Sequence, residues 1–275
     1  MSAPTTAPRR TLLARIVPLP PTSAKRAGLL VERNILVYRH GWLLVLSGFF
    51  EPVFYLLSIG VGIGALVGTV TVGGQVVDYT MFVAPGLLAS SAMNGAVFDS
   101  TFNIFFKLKY AKTYDAVLST PLSAADVATG EIGWALIRGM IYSTAFLLVL
   151  LALGLVGSWW AVLVLPAALL AAFAFAAVGM AATTYMRGWQ DFSYVTLAVL
   201  PMFLFATTFY PLSTYPEVVQ WLVVCTPLYH AIELIRAMTL GVMDWWALVH
   251  VAYLVAMGLL GLRVAAARLE TLLLR

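Results

Sequence analysis

Glu51, Asp99, Glu131 and Arg138 interrupt stretches of sequence that are otherwise almost wholly apolar. A charged side chain in such surroundings does a limited range of things: it relays a proton, lines a path, or neutralises a partner of opposite sign. Glu131 and Arg138 stand seven residues apart, on one face of a helix. Asp99 and Arg138 would neutralise each other if their segments pack side by side. Glu51, followed by Pro52, has no evident partner; it is read as lining a permeation path or a seam between subunits, or as making a helix-end hydrogen bond. His230 and Glu233 form a lone His-x-x-Glu, for which packing or hydrogen bonding in place is the plainer reading.

Other chemistries lack their residues. There is no GxxxxGK[ST] and no Gly-Lys pair, so the chain has no phosphate-cradling loop with which to hydrolyse ATP. His40, His230 and His250 are scattered and no HExxH sets two of them on one helical face, so neither a metal nor any other bound cofactor is expected on this chain. No nucleophile-and-base pair is recognisable. The single Cys225 excludes an internal disulfide and any CxxC knuckle.

The elements that must carry these charges are set by hydropathy. Hydrophobic residues make up 62% of the 275 and charged residues 10%, against about 25% charged in soluble domains. A hydrocarbon core about 30 Å thick needs about 20 apolar helical residues. Six stretches meet that demand, approximately 42–67, 82–106, 132–155, 159–186, 192–210 and 245–265. An all-α integral membrane protein with six transmembrane helices is therefore expected. With both termini on one side, every Lys and Arg except Arg138 and Arg236 falls on that side, which the positive-inside rule makes cytosolic. The net charge of +4 reflects this placement and gives no support to nucleic-acid binding.

Three segments outside the spans are informative. Residues 1–23 lack the apolar core of a signal peptide and read as a flexible cytosolic tail. From Lys25 and Arg26 through Glu32 and Arg33 to Arg39, charges recur every seven residues with Leu29, Leu30, Leu36 and Val37 between them. That step predicts an amphipathic helix lying on the inner leaflet, with a charged extension of the first span as the alternative. Between spans five and six, Thr214 with Pro216 and Thr226 with Pro227 look like two helix starts and Gly241 like a stop. Two short helices forming a re-entrant or interfacial outer hairpin are expected there rather than a seventh span. The loop KLKYAKTYDAVLSTPLSAADVATGE is longer than a turn requires. A short helix over Tyr114–Leu118, stopped by Pro121, precedes a capping box of Ser123 and Asp126.

The run MFVAPGLLASSAMNGAVFDSTFNIFFKLKYAKTYDAVLSTPLSAADVATGEIGWALIRG, with FYPLSTYPEVVQWLVVCTPLYHAIELIRAMTLG, resembles the type-2 ATP-binding-cassette export permeases. Within them it is most similar to the branch containing the nodulation lipo-oligosaccharide and daunorubicin-resistance permeases. The likeness covers most of the chain from residue 24 onward, and nothing in it accounts for residues 1–23. It implies a six-span permease that pairs with a second copy or a homologous permease and with two cytosolic ATPase subunits holding ATP and Mg. By that resemblance Thr113, Tyr114, Asp115, Leu118 and Pro121 belong to a coupling helix. Arg26, Glu32, Arg33 and Arg39 then lie on the interfacial connecting helix, and Pro216, Pro227, His230, Glu233 and Arg236 in the outer hairpin.

Phe203, Phe205 and Phe209, with Glu51 and Asp99, are the candidates for a substrate path or dimer seam; aromatic residues of a membrane helix also serve as packing and interface anchors. The resulting expectation is a multi-pass permease of a bacterial cytoplasmic membrane, contacting lipid, that exports a glycolipid, lipo-oligosaccharide or hydrophobic drug. Its rival is a proton-coupled secondary transporter using Glu51 and Asp99 as relays, although no internal repeat is visible.

Overall fold

The computed structural model describes residues 24–38, 50 and 52–273. Arg39, Glu51, residues 1–23 and the beginning of the expected first span at Trp42 lie outside the described residues.

The described chain is mostly helical. Helix α1 (Ala24–Tyr38) comes first, then α2 (Pro52–Val67), which widens into π turns over Leu56–Ile63. A two-stranded antiparallel hairpin follows, β1 (Thr69–Val72) and β2 (Gln75–Asp78), with Val70 opposite Val77. The long α3 (Tyr79–Tyr110) leads to the six-residue α4 (Thr113–Leu118) and the long α5 (Ala124–Ala152). Then come α6 (Trp159–Thr183), α7 (Phe192–Phe205), α8 (Glu217–Val224), α9 (Pro227–Leu240) and α10 (Trp246–Leu273).

Four helices, α3, α5, α6 and α10, are long and apolar enough to cross a membrane; α8 and α9, bent by 85° at their junction, would together make a fifth. Helix α7 has 14 residues, about 21 Å at 1.5 Å per residue, and stops short of the Tyr210 expected from hydropathy. Its end is marked by Thr207, whose φ of +61° takes the chain out of the helix. Helix α10 instead runs past the expected Ala265 to Leu273.

Helix α6 lies at the centre, packed on α3, α5, α9 and α10. Its buried face is built from alanines, among them Ala168, Ala171, Ala174 and Ala177. Small side chains let helix backbones approach where lipid supplies no hydrophobic driving force between helices. At Gly261 of α10 an added Cβ would stand 2.7 Å from the backbone nitrogen of Val178, so only glycine permits this contact.

The all-α expectation holds for the fold as a whole, with one short addition, the hairpin of β1 and β2, whose Thr-Val-Thr-Val-Gly-Gly run carries both signals, β-branched alternation and a φ-positive turn at Gly73 and Gly74. One expectation needs correcting. Helix α1 does not divide simply into charged and aliphatic faces. Leu29, Leu36 and Val37 are exposed, as are Lys25, Arg26 and Glu32. The face turned inward holds Leu30 and Asn34. Leu30 seats on Gly130 of α5, where a Cβ would come within 2.8 Å of Leu30 Cβ.

Candidate functional site

A polar network is buried where α1, α3 and α5 meet. Lys107 Nζ donates to both Glu131 oxygens at 3.0 and 2.8 Å and to Asn34 Oδ1 at 3.0 Å; Asn34 Nδ2 donates to Glu131 Oε2 at 3.1 Å. Glu131 is 2% exposed and Lys107 9%, so each charge depends on the other for the solvation it has lost. The π turn over Phe106–Tyr110 holds Lys107 as its buried residue. The capping box places Glu131: Ser123 Oγ accepts from Asp126 N at 3.1 Å and Asp126 accepts from Ser123 N at 3.0 Å, which starts α5 in register.

Helix α4 joins this network through Tyr114. Its ring is 1% exposed and its hydroxyl has no hydrogen-bond partner. Burial, and then the neighbouring Glu131, hold the phenol well above the usual tyrosine range, so it stays neutral at any working pH. Arg33 of α1 is close enough to oppose that shift. The rest of α4 faces outward: Asp115 and Pro121 are exposed, and Thr113 and Leu118 are half-buried. Lys112, with φ of +46°, turns the chain into α4, and Pro121 lies two residues beyond the C-cap Ser119.

A second charge pair sits farther along α3 and α5. Arg138 Nη1 donates to Asp99 Oδ1 at 2.5 Å and Nη2 donates to Tyr142 at 2.9 Å, while the guanidinium lies 5.5 Å from the Tyr38 ring centroid. Tyr38 stacks on Trp134 at 5.2 Å, so the end of α1 is again tied to α5. Asp99 opens a π turn over Asp99–Asn103, the kind of local widening that recurs at functional sites. The pairing of Asp99 with Arg138 is the one foreseen from sequence. The engagement of Glu131 with Lys107 and Asn34 is not, because Lys107 reads as a loop charge and Asn34 as one polar residue in a surface helix.

The aromatic candidates separate. Phe203 and Phe209 meet at 5.2 Å and, with Tyr55 of α2, Asn94 and Phe98, line a cavity of about 470 Å³ between α2, α3 and α7. Phe205 turns away toward Tyr215. Asp99 faces α5 and is absent from this wall, and Glu51 is outside the described residues. Only Phe192 of α7 is buried, stacked on Phe102 at 4.0 Å, while Val199, Met202 and Phe203 are partly buried against the bundle.

Beyond α7, Arg236 is the hub of the hairpin. Its guanidinium donates to Thr207 O at 2.7 Å and Phe82 O at 3.3 Å, pairs with Glu233, and covers the Phe82 ring. Glu233 also accepts from Thr207 Oγ1 at 2.9 Å. His230 and Glu233 each hydrogen-bond in place with different partners, His230 Nδ1 lying 2.8 Å from His250 Nδ1. Pro216 is the N-cap of α8, Pro227 the first residue of α9, and Gly241 its left-handed stop. Among the described residues no group of three or more His, Cys, Asp or Glu side chains could hold a metal ion.

Comparison with known proteins gives the family. The profile of the ABC-2 type transporters matches residues 26–240. Nodulation protein J of Sinorhizobium fredii is 36% identical over 194 residues, 70% of this chain and 72% of the relative. Nodulation protein J of Rhizobium leguminosarum bv. viciae is 33% identical over 213 residues, 76% and 80% respectively. The counterpart in Rhizobium leguminosarum bv. trifolii is 34% identical over 213 residues, 76% and 79%. With the family profile covering most of its length, this multi-pass membrane chain belongs to the ABC-2 type transporter family, as a permease.

Proposed function

We propose that the chain is the permease of an ATP-driven exporter in a bacterial cytoplasmic membrane, moving an amphipathic, lipid-linked or hydrophobic substrate outward. A glycolipid, a lipo-oligosaccharide and a hydrophobic drug all fit this description. It pairs with a second permease, identical or homologous, and with two cytosolic ATPase subunits that hold ATP and Mg. Residues 24–275 form one membrane domain of six spans, α2 and α7 adding to the four long helices, with both termini cytosolic. The observation that carries the reading is the burial of Tyr114 beside Glu131. It joins the exposed loop helix α4 to a buried ion pair spanning α1, α3 and α5.

In this mechanism the ATPases close on ATP, push α4, and shift the helices tied to it; the two permeases then alternate between inward and outward access. Asp115 and Pro121 provide the docking surface, while Arg26, Glu32 and Arg33 keep α1 at the interface. Helices α8 and α9 act as a re-entrant outer hairpin. Tyr253, about 10 Å along α10 from Trp246, donates to Cys225 O, so the bend reaches below the start of the last span. Thr239, near the other end of α9, accepts from Gly157 N in the turn between α5 and α6. Against the proton-coupled alternative stands the pairing of Asp99 Oδ1 with Arg138, which gives that carboxylate a neutralising partner.

The test is gentle purification of the chain from its host together with the cytosolic ATPase that accompanies it, followed by reconstitution into vesicles. Transport should require ATP and both proteins. Transport by the chain alone, driven by a proton gradient, would overturn the reading.

A further inference from the structure

The largest of the described cavities, about 560 Å³, lies beside the Phe203–Phe209 cavity, the two sharing Val97 and Thr101 of α3 and Val195 and Val199 of α7. Its walls are apolar: Phe175 and Ala182 from α6, Val199 and Met202 from α7, and Met257 from α10. From Asp191 at the start of α7 to Met202 the slot follows eleven residues, about 16 Å of helix, against about 15 Å for half of a hydrocarbon core. Its length therefore matches one leaflet.

The charged lining residues lie at one end. Tyr185, Arg187, Asp191 and Tyr194 form the mouth. Asp191 is occupied locally, its Oδ2 accepting from the backbone nitrogens of Arg187 and Gly188 at 2.6 and 3.4 Å. Arg187 enters none of the ion pairs among the described residues. Arg268 of α10 stacks on the Tyr185 ring at 4.3 Å, and its buried Nε has no hydrogen-bond partner. Arg187 thus lines the mouth of the apolar slot, and Arg268 stands behind it on the ring of Tyr185.

We propose that this slot is a binding site for an anionic glycerophospholipid, with one acyl chain between α6, α7 and α10 and the phosphate at Arg187 and Arg268. Basic pockets between membrane helices select such headgroups, each arginine contributing about a fivefold preference. Burying the chain removes methylenes from no water, so the selectivity resides in the headgroup and in the fit of the slot. Val195 and Val199 line both cavities, so the bound lipid holds the wall that α7 presents to the other cavity. The inference rests on the chain being membrane-embedded and is independent of the substrate and direction of transport.

The test uses the purified transporter in nanodiscs containing phosphatidylglycerol or phosphatidylcholine with a photoactivatable group on the acyl tail. Phosphatidylglycerol should label Phe175, Ala182 and Val199 in preference to the exposed Leu248 of α10, and at least about fivefold more than phosphatidylcholine does. R187Q combined with R268Q should abolish the headgroup preference while keeping tail labelling, and A198W should remove both. Equal labelling of slot and Leu248 in wild-type protein, which needs no variant to fold, would overturn the proposal. So would equal labelling by the two lipids, or displacement of phosphatidylglycerol by the exported substrate, which would make the slot a substrate site. Absence of ATP-dependent transport in reconstituted vesicles, with lipid labelling in nanodiscs intact, would count against the export reading alone.

Discussion

Lys107 and Glu131 show how a membrane protein can keep charge inside without using it for binding. Each is desolvated, and each satisfies the other with help from Asn34. Removing one partner strands the other, at about 3–5 kcal/mol, whereas replacing both by apolar residues of similar size often costs little. Lys107→Met should therefore lower the melting temperature of the purified protein sharply, and Lys107→Met with Glu131→Leu should recover most of the loss. If the network transmits motion, the double variant still fails to export. Recovery of full export along with stability would make the pair purely structural. Tyr114 offers a complementary probe, since its buried hydroxyl is unpaired. Tyr114→Phe should leave stability unchanged or slightly raised, while Tyr114→Ala opens a cavity costing about 3–5 kcal/mol. These roles were only half legible in the sequence. Asp99 and Arg138 announce each other because both are out of place in apolar spans. Lys107 looks like one of three loop lysines, and only the π turn that carries it inward reveals its partner.

At the scale of elements, α4 was readable because its signals are local: a stop at Pro121 and a cap at Ser123 need no knowledge of the fold. The orientation of α1 was not readable, since the choice between burying Leu30 with Asn34 and burying Leu29 with Leu36 is made by the groove around Gly130. The β hairpin was legible and missed, its alternation being short and set among long apolar runs. If α4 docks on an ATPase, Asp115→Arg reverses an exposed contact charge and Pro121→Leu removes a stop, letting the helix run on. Both variants should reach the membrane at normal abundance, yet lose substrate-stimulated ATP hydrolysis and export. Full export by both at wild-type abundance would reduce α4 to a connector. Ser123→Ala is the control for α5 itself, lowering stability by about 1 kcal/mol through loss of the cap.

For the whole molecule, the loops sort into two ends. Gly73 of the hairpin neighbours Val242, and Gly157 donates to Thr239, so the β turn, the α5–α6 turn and the α9–α10 loop share one end. Lys112, Arg187 and Arg268 gather at or beside the mouths and loops of the other, the end that the proposed topology makes cytosolic. This topology can be read chemically, because Cys225→Ser leaves a chain without thiols. In that background Val218→Cys, 74% exposed in the outer hairpin, should react with an impermeant maleimide in intact cells. Asp115→Cys, exposed on α4, should react only after permeabilisation; Tyr114, being buried, would be a poor reporter. Glu270→Cys decides between topologies: with six spans it is cytosolic and protected, and with α8 and α9 forming a complete seventh span it faces outward. Labelling of Glu270→Cys in intact cells would therefore place the last turn of α10 outside. The re-entrant hairpin would then be wrong, whatever the fate of the coupling helix.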